Sequence, residues 1–426
     1  MRTRIFSKKL IVDLLIAVYL AIVIFTLLTV AIQTVFWIQR PFPGGFFDSN
    51  NYYIPVVNIF KLNTWSLQNE QLSTHSKLVS VNGNTLSQSV ILRDQLSSAE
   101  VGDVLILGFE ENGQSRDIEV SLTRFSQAEA IFYFYIPILA GVGCLLMAIW
   151  SFTDRLNRPI SALEATLSAS LALLYVTYFD FFTVHHFYVV FFIGLGMAAG
   201  SLLQLAITFP KERRWKAPIR GLNILGFIPN LLIASYGIYQ MTSPLAKSNQ
   251  YLGIIIFLFL VMILNGLILG IMVFIFRIMG KSPLVTRHSE TFLIALFISF
   301  TPLTIQWAVN GFHQTYPPVN PLFLYPIIVL PAALIQITRK FRVEGINKKS
   351  LRILIFIIIT IFFGALYTAI VYALNRVLIA RIQPDNPLII GTLVMVVALL
   401  LDPIRKEVNK FLQNEEGASG DQVKKA

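Results

Sequence analysis

The 426-residue chain is 55% hydrophobic and only 13% charged, with a mean hydropathy of +0.67 and a formal net charge of +11. Soluble chains carry about 25% charged residues, so an ordinary string of globular domains is excluded. The positive charge is spread over short segments rather than gathered on a basic folded domain, which argues against nucleic-acid binding.

The composition predicts a mostly α, polytopic membrane protein. In chain order, apolar runs cover 10–37, 130–152, 160–182, 187–209, 220–241, 252–276, 291–311, 321–338, 351–375 and 386–401. A helical crossing needs roughly 20 apolar residues, and open backbone cannot face lipid, so about ten transmembrane helices are expected. The last run is short and needs local thinning of the bilayer or little tilt. Arg2, Arg4, Lys8 and Lys9 resemble a signal n-region, but the run behind them is too long for an h-region of about 7–15 residues. It ends in Phe36-Trp37-Ile38-Gln39-Arg40, an aromatic belt with a basic stop, and reads as an anchor.

Charge then sets the expected topology. With the N-terminus inside, the inner segments hold 25 Lys and Arg, and the four short outer loops hold three: Lys247, Arg376 and Arg381. That asymmetry predicts a multi-pass protein of the inner (cytoplasmic) membrane with both termini cytoplasmic and residues 41–127 outside. Anionic lipid is the expected partner of the inner loops. The expected divisions are a basic N-terminus (1–9), the first helix (10–40), the outer domain (41–127), a nine-helix block (130–402) and a cytoplasmic linker and tail (403–426).

The outer insertion carries nine acids against five Lys or Arg, unlike the remainder of the chain. Arg40-Pro41-Phe42-Pro43-Gly44-Gly45 is a turn-rich exit from the membrane. Strands are predicted over 52–60, 77–81, 103–109 and 117–122, and a helix over 88–97. Asn82-Gly83 marks a turn, and Asn112-Gly113 marks a hairpin.

Leu72-x-x-His75-Ser76-x-Leu78-x-x-Val81-Asn82-Gly83, then a helix, then Val101-Gly102-Asp103-Val104 and a strand pair, resembles a bacterial PDZ domain. The usual pattern is Gly-Leu-x-x-Gly-Asp-x-Ile-x-x-Val-Asn-Gly; here Gln71 replaces the first glycine and His75-Ser76 replaces Gly-Asp. The resemblance implies a small α+β fold and, where the groove works, a peptide or protein partner bound as an added strand. The wider layout resembles certain bacterial receptor histidine kinases, including competence pheromone receptors, and related sensors of green non-sulphur bacteria. The carrying residues are Pro41-Phe42-Pro43-Gly44, Phe209-Pro210 with Lys211-Glu212-Arg213-Arg214, Pro331-Ala332-Ala333 with Arg339-Lys340-Phe341-Arg342, and Asp402-Pro403 through Phe411. The resemblance implies two-component signal transduction: an input half that senses outside the cytoplasm and hands its signal inward. Asp402, Pro403, Val408 and Phe411 stand where the family has its output linker. A cytoplasmic kinase or phosphatase and a homodimeric mate are the implied partners.

Catalytic patterns are missing. There is no His-Glu-x-x-His for a membrane metalloprotease, no Gly-rich nucleotide loop, and no serine-protease pair across spanning runs. His288-Ser289-Glu290-Thr291 is similar to a phosphoacceptor box, but Ser289 is read instead as the N-cap of a membrane helix. The chain is therefore expected to be no enzyme and to hold no cofactor or metal. His185-His186 after Asp180 suggests either a loose metal site or interfacial hydrogen bonding. The lone Cys144 reads as a buried, inert thiol.

Buried polar residues within spans mark where function resides in membrane proteins. Glu164 lies one turn into the third run, while Gln204, Asn230, Asn265, Gln306, Asn310 and Gln336 suit interhelical hydrogen bonds. Pro229, Pro302, Pro326 and Pro331 are expected to kink helices five, seven and eight. The ligand-facing candidates are Glu164, Tyr178, Asp180, His185, Gln306, Trp307 and Asn310, with Tyr175 and His313 nearby. The expected function is a receptor or sensor input module for a peptide or small lipophilic signal. The alternatives are a secondary transporter, or a scaffold that docks partners through the PDZ-like domain.

Overall fold

The computed structural model describes residues 2–48, 50–54, 65–70, 72–73, 75–86, 96, 98–111, 113–153, 158–208, 226–242, 250–278, 283–313 and 321–339. The expected helix over 88–97, the last two apolar runs and the linker residues Asp402, Pro403, Val408 and Phe411 lie outside these, apart from Leu96.

The chain is mostly helical with small sheets. Helix α1 (Arg2–Ile38) leads into a sheet domain: β1 (Pro41–Phe42), β2 (Phe46–Phe47), β3 (Tyr53–Ile54), a 3-10 turn (Ser66–Glu70), β4 (Lys77–Val81), β5 (Asn84–Thr85), β6 (Val104–Glu111), β7 (Gln114–Ser121) and β8 (Thr123–Arg124). The main sheet is antiparallel, in the order β5-β4-β6-β7. Alternation builds its core: Leu105, Leu107 and Phe109 of β6 point inward with Ile118 and Val120 of β7, while Val104 and Ile106 face out. Asn82 and Gly83 both take positive φ (50° and 77°), the geometry of a tight hairpin turn. β1 pairs with β8, so the domain's entry and exit strands meet where it joins the membrane block. Of the strand expected over 52–60, only β3 falls among the described residues.

The block continues with α2 (Gln127–Ala130), a π turn (Ile131–Tyr135), α3 (Ile136–Thr153), α4 (Arg158–Thr183), α5 (Tyr188–Thr208), α6 (Ile228–Thr242), α7 (Gln250–Ile278), α8 (Pro283–His313), α9 (Pro321–Leu324), a 3-10 turn (Tyr325–Ile328) and α10 (Val329–Arg339). Ser126 and Glu129 form a capping box that starts α2. Among the described residues, five segments are long and apolar enough to cross a membrane: Ile11–Ile38, Ile131–Thr153, Ile160–Thr183, Tyr188–Thr208 and Tyr251–Ile275. Glu290–Gln306 and Tyr325–Gln336 are shorter apolar helices.

Helix α4 is central and packs against α1, α3 and α5. Small residues permit the close approach. A Cβ built on Gly194 would lie 3.2 Å from the Ser170 carbonyl oxygen of α4, and one on Gly196 would lie 3.0 Å from that of Asn230 in α6. The two glycines thus seat α5 between two neighbours. Polar side chains add cross-links: Tyr19 and Ser170 hydroxyls meet at 2.9 Å, and Asn265 Nδ2 donates to Ala199 O at 2.9 Å.

Two expectations are corrected. Helix α8 begins at Pro283, so Ser289 lies inside it rather than at its N-cap; Pro283 takes the first position, where a missing N–H costs nothing. Pro229 occupies the first turn of α6 and starts that helix rather than bending it. Pro302 does sit inside α8, and Pro326 opens the 3-10 turn that separates α9 from α10.

Candidate functional site

The sheet domain meets the membrane block through an aromatic seam. Trp37, near the end of α1, touches Phe42, Phe46 and Phe125 of the sheet domain and Phe179 of α4, with ring centroids 5.2–6.0 Å apart. Trp65 closes the far side against Phe42 and Phe46. Edge-to-face and stacked pairs of this kind contribute about 0.5–1.5 kcal/mol each beyond burial, so the seam is a strong joint.

Beside it lies a polar joint. The last turn of α4 carries Asp180, whose carbonyl accepts from Val184 N (3.1 Å) and His185 N (2.8 Å), and whose Oδ2 accepts from Phe187 N (2.7 Å). One carboxylate thus ties the end of α4 to the start of α5. His185 sits at φ 59°, the left-handed region where helix C-caps favour glycine. A non-glycine residue there costs on the order of 1 kcal/mol and persists when its surroundings hold it. The side chain supplies the hold: Nε2–H donates to Phe47 O in β2 at 2.8 Å, across the joint. Burial pushes the imidazole down to about 4, so it is neutral at ordinary pH. His186 turns elsewhere, with Nδ1 3.2 Å from Gln33 Nε2 of α1.

The residue after Phe47 forms the second contact. Asp48 is 2% exposed, and its Oδ1 accepts from Asn50 N (2.8 Å) and Tyr52 N (2.7 Å), closing the β2–β3 turn. The carboxyl interacts with the phenol of Tyr251 in the first turn of α7. Neither Oδ2 nor the Tyr251 oxygen has another partner among the described residues. Burial pushes the Asp48 carboxyl up to about 6, against the opposing pull of those hydrogen bonds and the Lys77 charge. Lys77 does not cover it; its Nζ lies over the Tyr52 ring, 5.6 Å from the centroid.

Of the candidate ligand-facing residues, Tyr178, Asp180 and His185 gather at this end of α4. Tyr178 is buried, edge-on to Phe182 at 5.0 Å. Tyr175 lies one turn earlier and donates to Leu324 O of α9 at 2.7 Å. Glu164 is buried too, but sixteen residues before Asp180 on the same helix, about 24 Å along it at the helical rise, so it belongs to a different place. Gln306 is buried in α8 beyond Pro302. The last turns of α8 carry Trp307, Asn310 and His313, whose side chains lie outside the described residues. Asp48 and Tyr251 were missed by sequence reasoning. Asp48 sits in a turn rich in polar residues, and Tyr251 sits where an aromatic belt is expected, so neither signals a buried pair.

A second polar cluster lies within the sheet domain. Glu111 accepts from the Ser73 hydroxyl at 2.5 Å and the Ser76 hydroxyl at 2.8 Å, which hold its carboxyl below the usual range. This pins the 73–76 loop to the end of β6. No protein-family model matches the sequence, and no curated protein matches it.

Proposed function

We propose that the chain is the sensory input half of a bacterial signal-transduction system: a receptor in the inner membrane with about ten spans, an extracytoplasmic PDZ-like domain and both termini in the cytoplasm. The observation that carries this reading is the joint itself. A folded domain bonded by buried polar groups to the ends of two membrane helices is suited to passing a change in its own state along them. A mere spacer needs no such contact. Peptide or lipophilic ligand arriving at the domain or its seam would shift α4 and α7, and the movement would leave through 402–411 toward a kinase or phosphatase partner or a second copy.

Topology is the first requirement, and labelling tests it. Cysteines placed at Ser87 and Ser419 are expected to react from outside and from inside, respectively. Reaction of both from the same side would overturn the reading.

A further inference from the structure

We propose that Asp48 and Tyr251 form a latch between the sheet domain and helix α7, the contact that makes or breaks when the domain changes state. The inference deepens the sensor reading and rests on it, but it concerns the joint alone and is tested there.

Three observations carry it. First, the pair spans the joint, beside the aromatic seam and the His185–Phe47 bond: Asp48 belongs to the β2–β3 turn, and Tyr251 to the first turn of α7. Second, both groups are almost fully buried, each 2% exposed, and each presents an oxygen with no other partner among the described residues. A buried polar atom left unmatched costs about 1–3 kcal/mol, so a contact between these two groups satisfies both at once. Third, the turn that carries Asp48 is rigid. Asp48 N donates to Tyr52 O at 2.9 Å, Asn51 N to Asp48 O at 3.0 Å, and Leu78 N of β4 to Asn51 O at 2.9 Å. A shift of the main sheet therefore moves the carboxyl with it.

Among the described residues, the charged and polar side chains near the latch belong to the same joint. Lys77 acts on Asp48 through its charge, and His185 grips the adjoining Phe47 carbonyl. Burial also holds the carboxyl ready to take a proton close to neutrality, so the latch closes either as a phenol donating to a carboxylate or as a protonated carboxyl against a phenol. Water entering an opened joint would solvate both oxygens, which makes the open state accessible. The aromatic seam keeps the domain in place while the latch changes.

Hydrogen exchange on the full chain in lipid nanodiscs tests this. Tyr251→Phe keeps the ring and removes only the hydroxyl; Asp48→Asn keeps the shape and removes the charge. Tyr251→Phe is expected to raise exchange about tenfold in 46–54 and 250–256 while leaving the β6–β7 hairpin unchanged, which shows that the domain still folds; Asp48→Asn, whose amide can still meet the phenol, is expected to raise it less. The double variant is expected to exchange no faster than the faster single one, because both changes break one contact. Unchanged exchange in Tyr251→Phe, or additive effects in the double variant, would overturn the latch. A latch that fails this test leaves the topology and tail measurements of the sensor reading untouched.

Discussion

His185 Nε2 lies 2.8 Å from the carbonyl oxygen of Phe47, joining the turn between two membrane helices to a strand 138 positions earlier in the sheet domain. The bond holds His185 in a left-handed conformation that its side chain would otherwise avoid. His185→Ala is expected to destabilise the full chain by about 1–3 kcal/mol, since it orphans the Phe47 carbonyl and keeps the strain. His185→Gly should lose less, because glycine relieves the backbone. Thermal unfolding of the detergent-solubilised chain orders the two variants, and equal losses would show that the backbone carries no strain.

The pH response of the joint follows from two opposed groups. Docked Asp48 keeps its proton to about pH 6, against an ordinary value of 3.8. Its contribution to docking is therefore full below 3.8 and is lost as pH rises through 6. Docked His185 stays neutral down to about 4, against an ordinary 6.5, so its contribution is full above 6.5 and is lost as pH falls toward 4. Each is worth up to about 3 kcal/mol by linkage, and between pH 4 and 6 they offset. The wild-type joint should thus be nearly flat in that window. Asp48→Asn should loosen it on acidification below 6.5, and His185→Gln should loosen it as pH rises from 3.8 to about 6. Exchange at 46–54, corrected for intrinsic rates, reads the slopes; parallel slopes in both variants would refute the pairing.

Helix packing gives a contrast between two glycines. A Cβ on Gly237 would lie 2.3 Å from the Phe192 ring, whereas nothing lies within 4 Å of one on Gly253. Gly237→Ala is expected to cost about 1–3 kcal/mol through overpacking, and Gly253→Ala to cost nothing measurable. Melting temperatures in detergent decide it, and indistinguishable variants would contradict the α5–α6 packing.

Trp37 is the hub of the aromatic seam. Trp37→Ala should weaken the chain by up to about 3 kcal/mol, with Trp37→Phe retaining part of the loss. Protease sensitivity at the β1–β2 connection is the direct readout; full resistance in Trp37→Ala would mean that the seam does not hold the domain.

Much of the architecture was legible because it is written in period and length. The five membrane-length segments and the strands β4, β6 and β7 follow from apolar runs and alternation, and the Asn82-Gly83 turn from residues that accept positive φ. The joint was less legible. Trp37 reads as part of an interfacial belt and Phe42 as part of a turn-rich exit, because aromatic residues near a membrane edge have an ordinary use there, and Phe46 carries no signal of its own. Only tertiary structure turns them inward. His185 was singled out with two possible uses, and the structure places its ring on a carbonyl. Ser289 misled because a good capping residue inside a long apolar pattern carries the same local signal as one at its start.

The account stands most directly on whether the sheet domain's state reaches the tail. Cys144 is fully buried, so cysteines introduced at Val408 and Phe411 can be labelled against a quiet background. Their labelling rates should be compared in nanodiscs between the full chain and a chain in which residues 41–127 are replaced by a short linker. A change of several-fold at both positions is the result the account predicts; identical rates, with both positions reacting as lipid-facing sites in either chain, would contradict it.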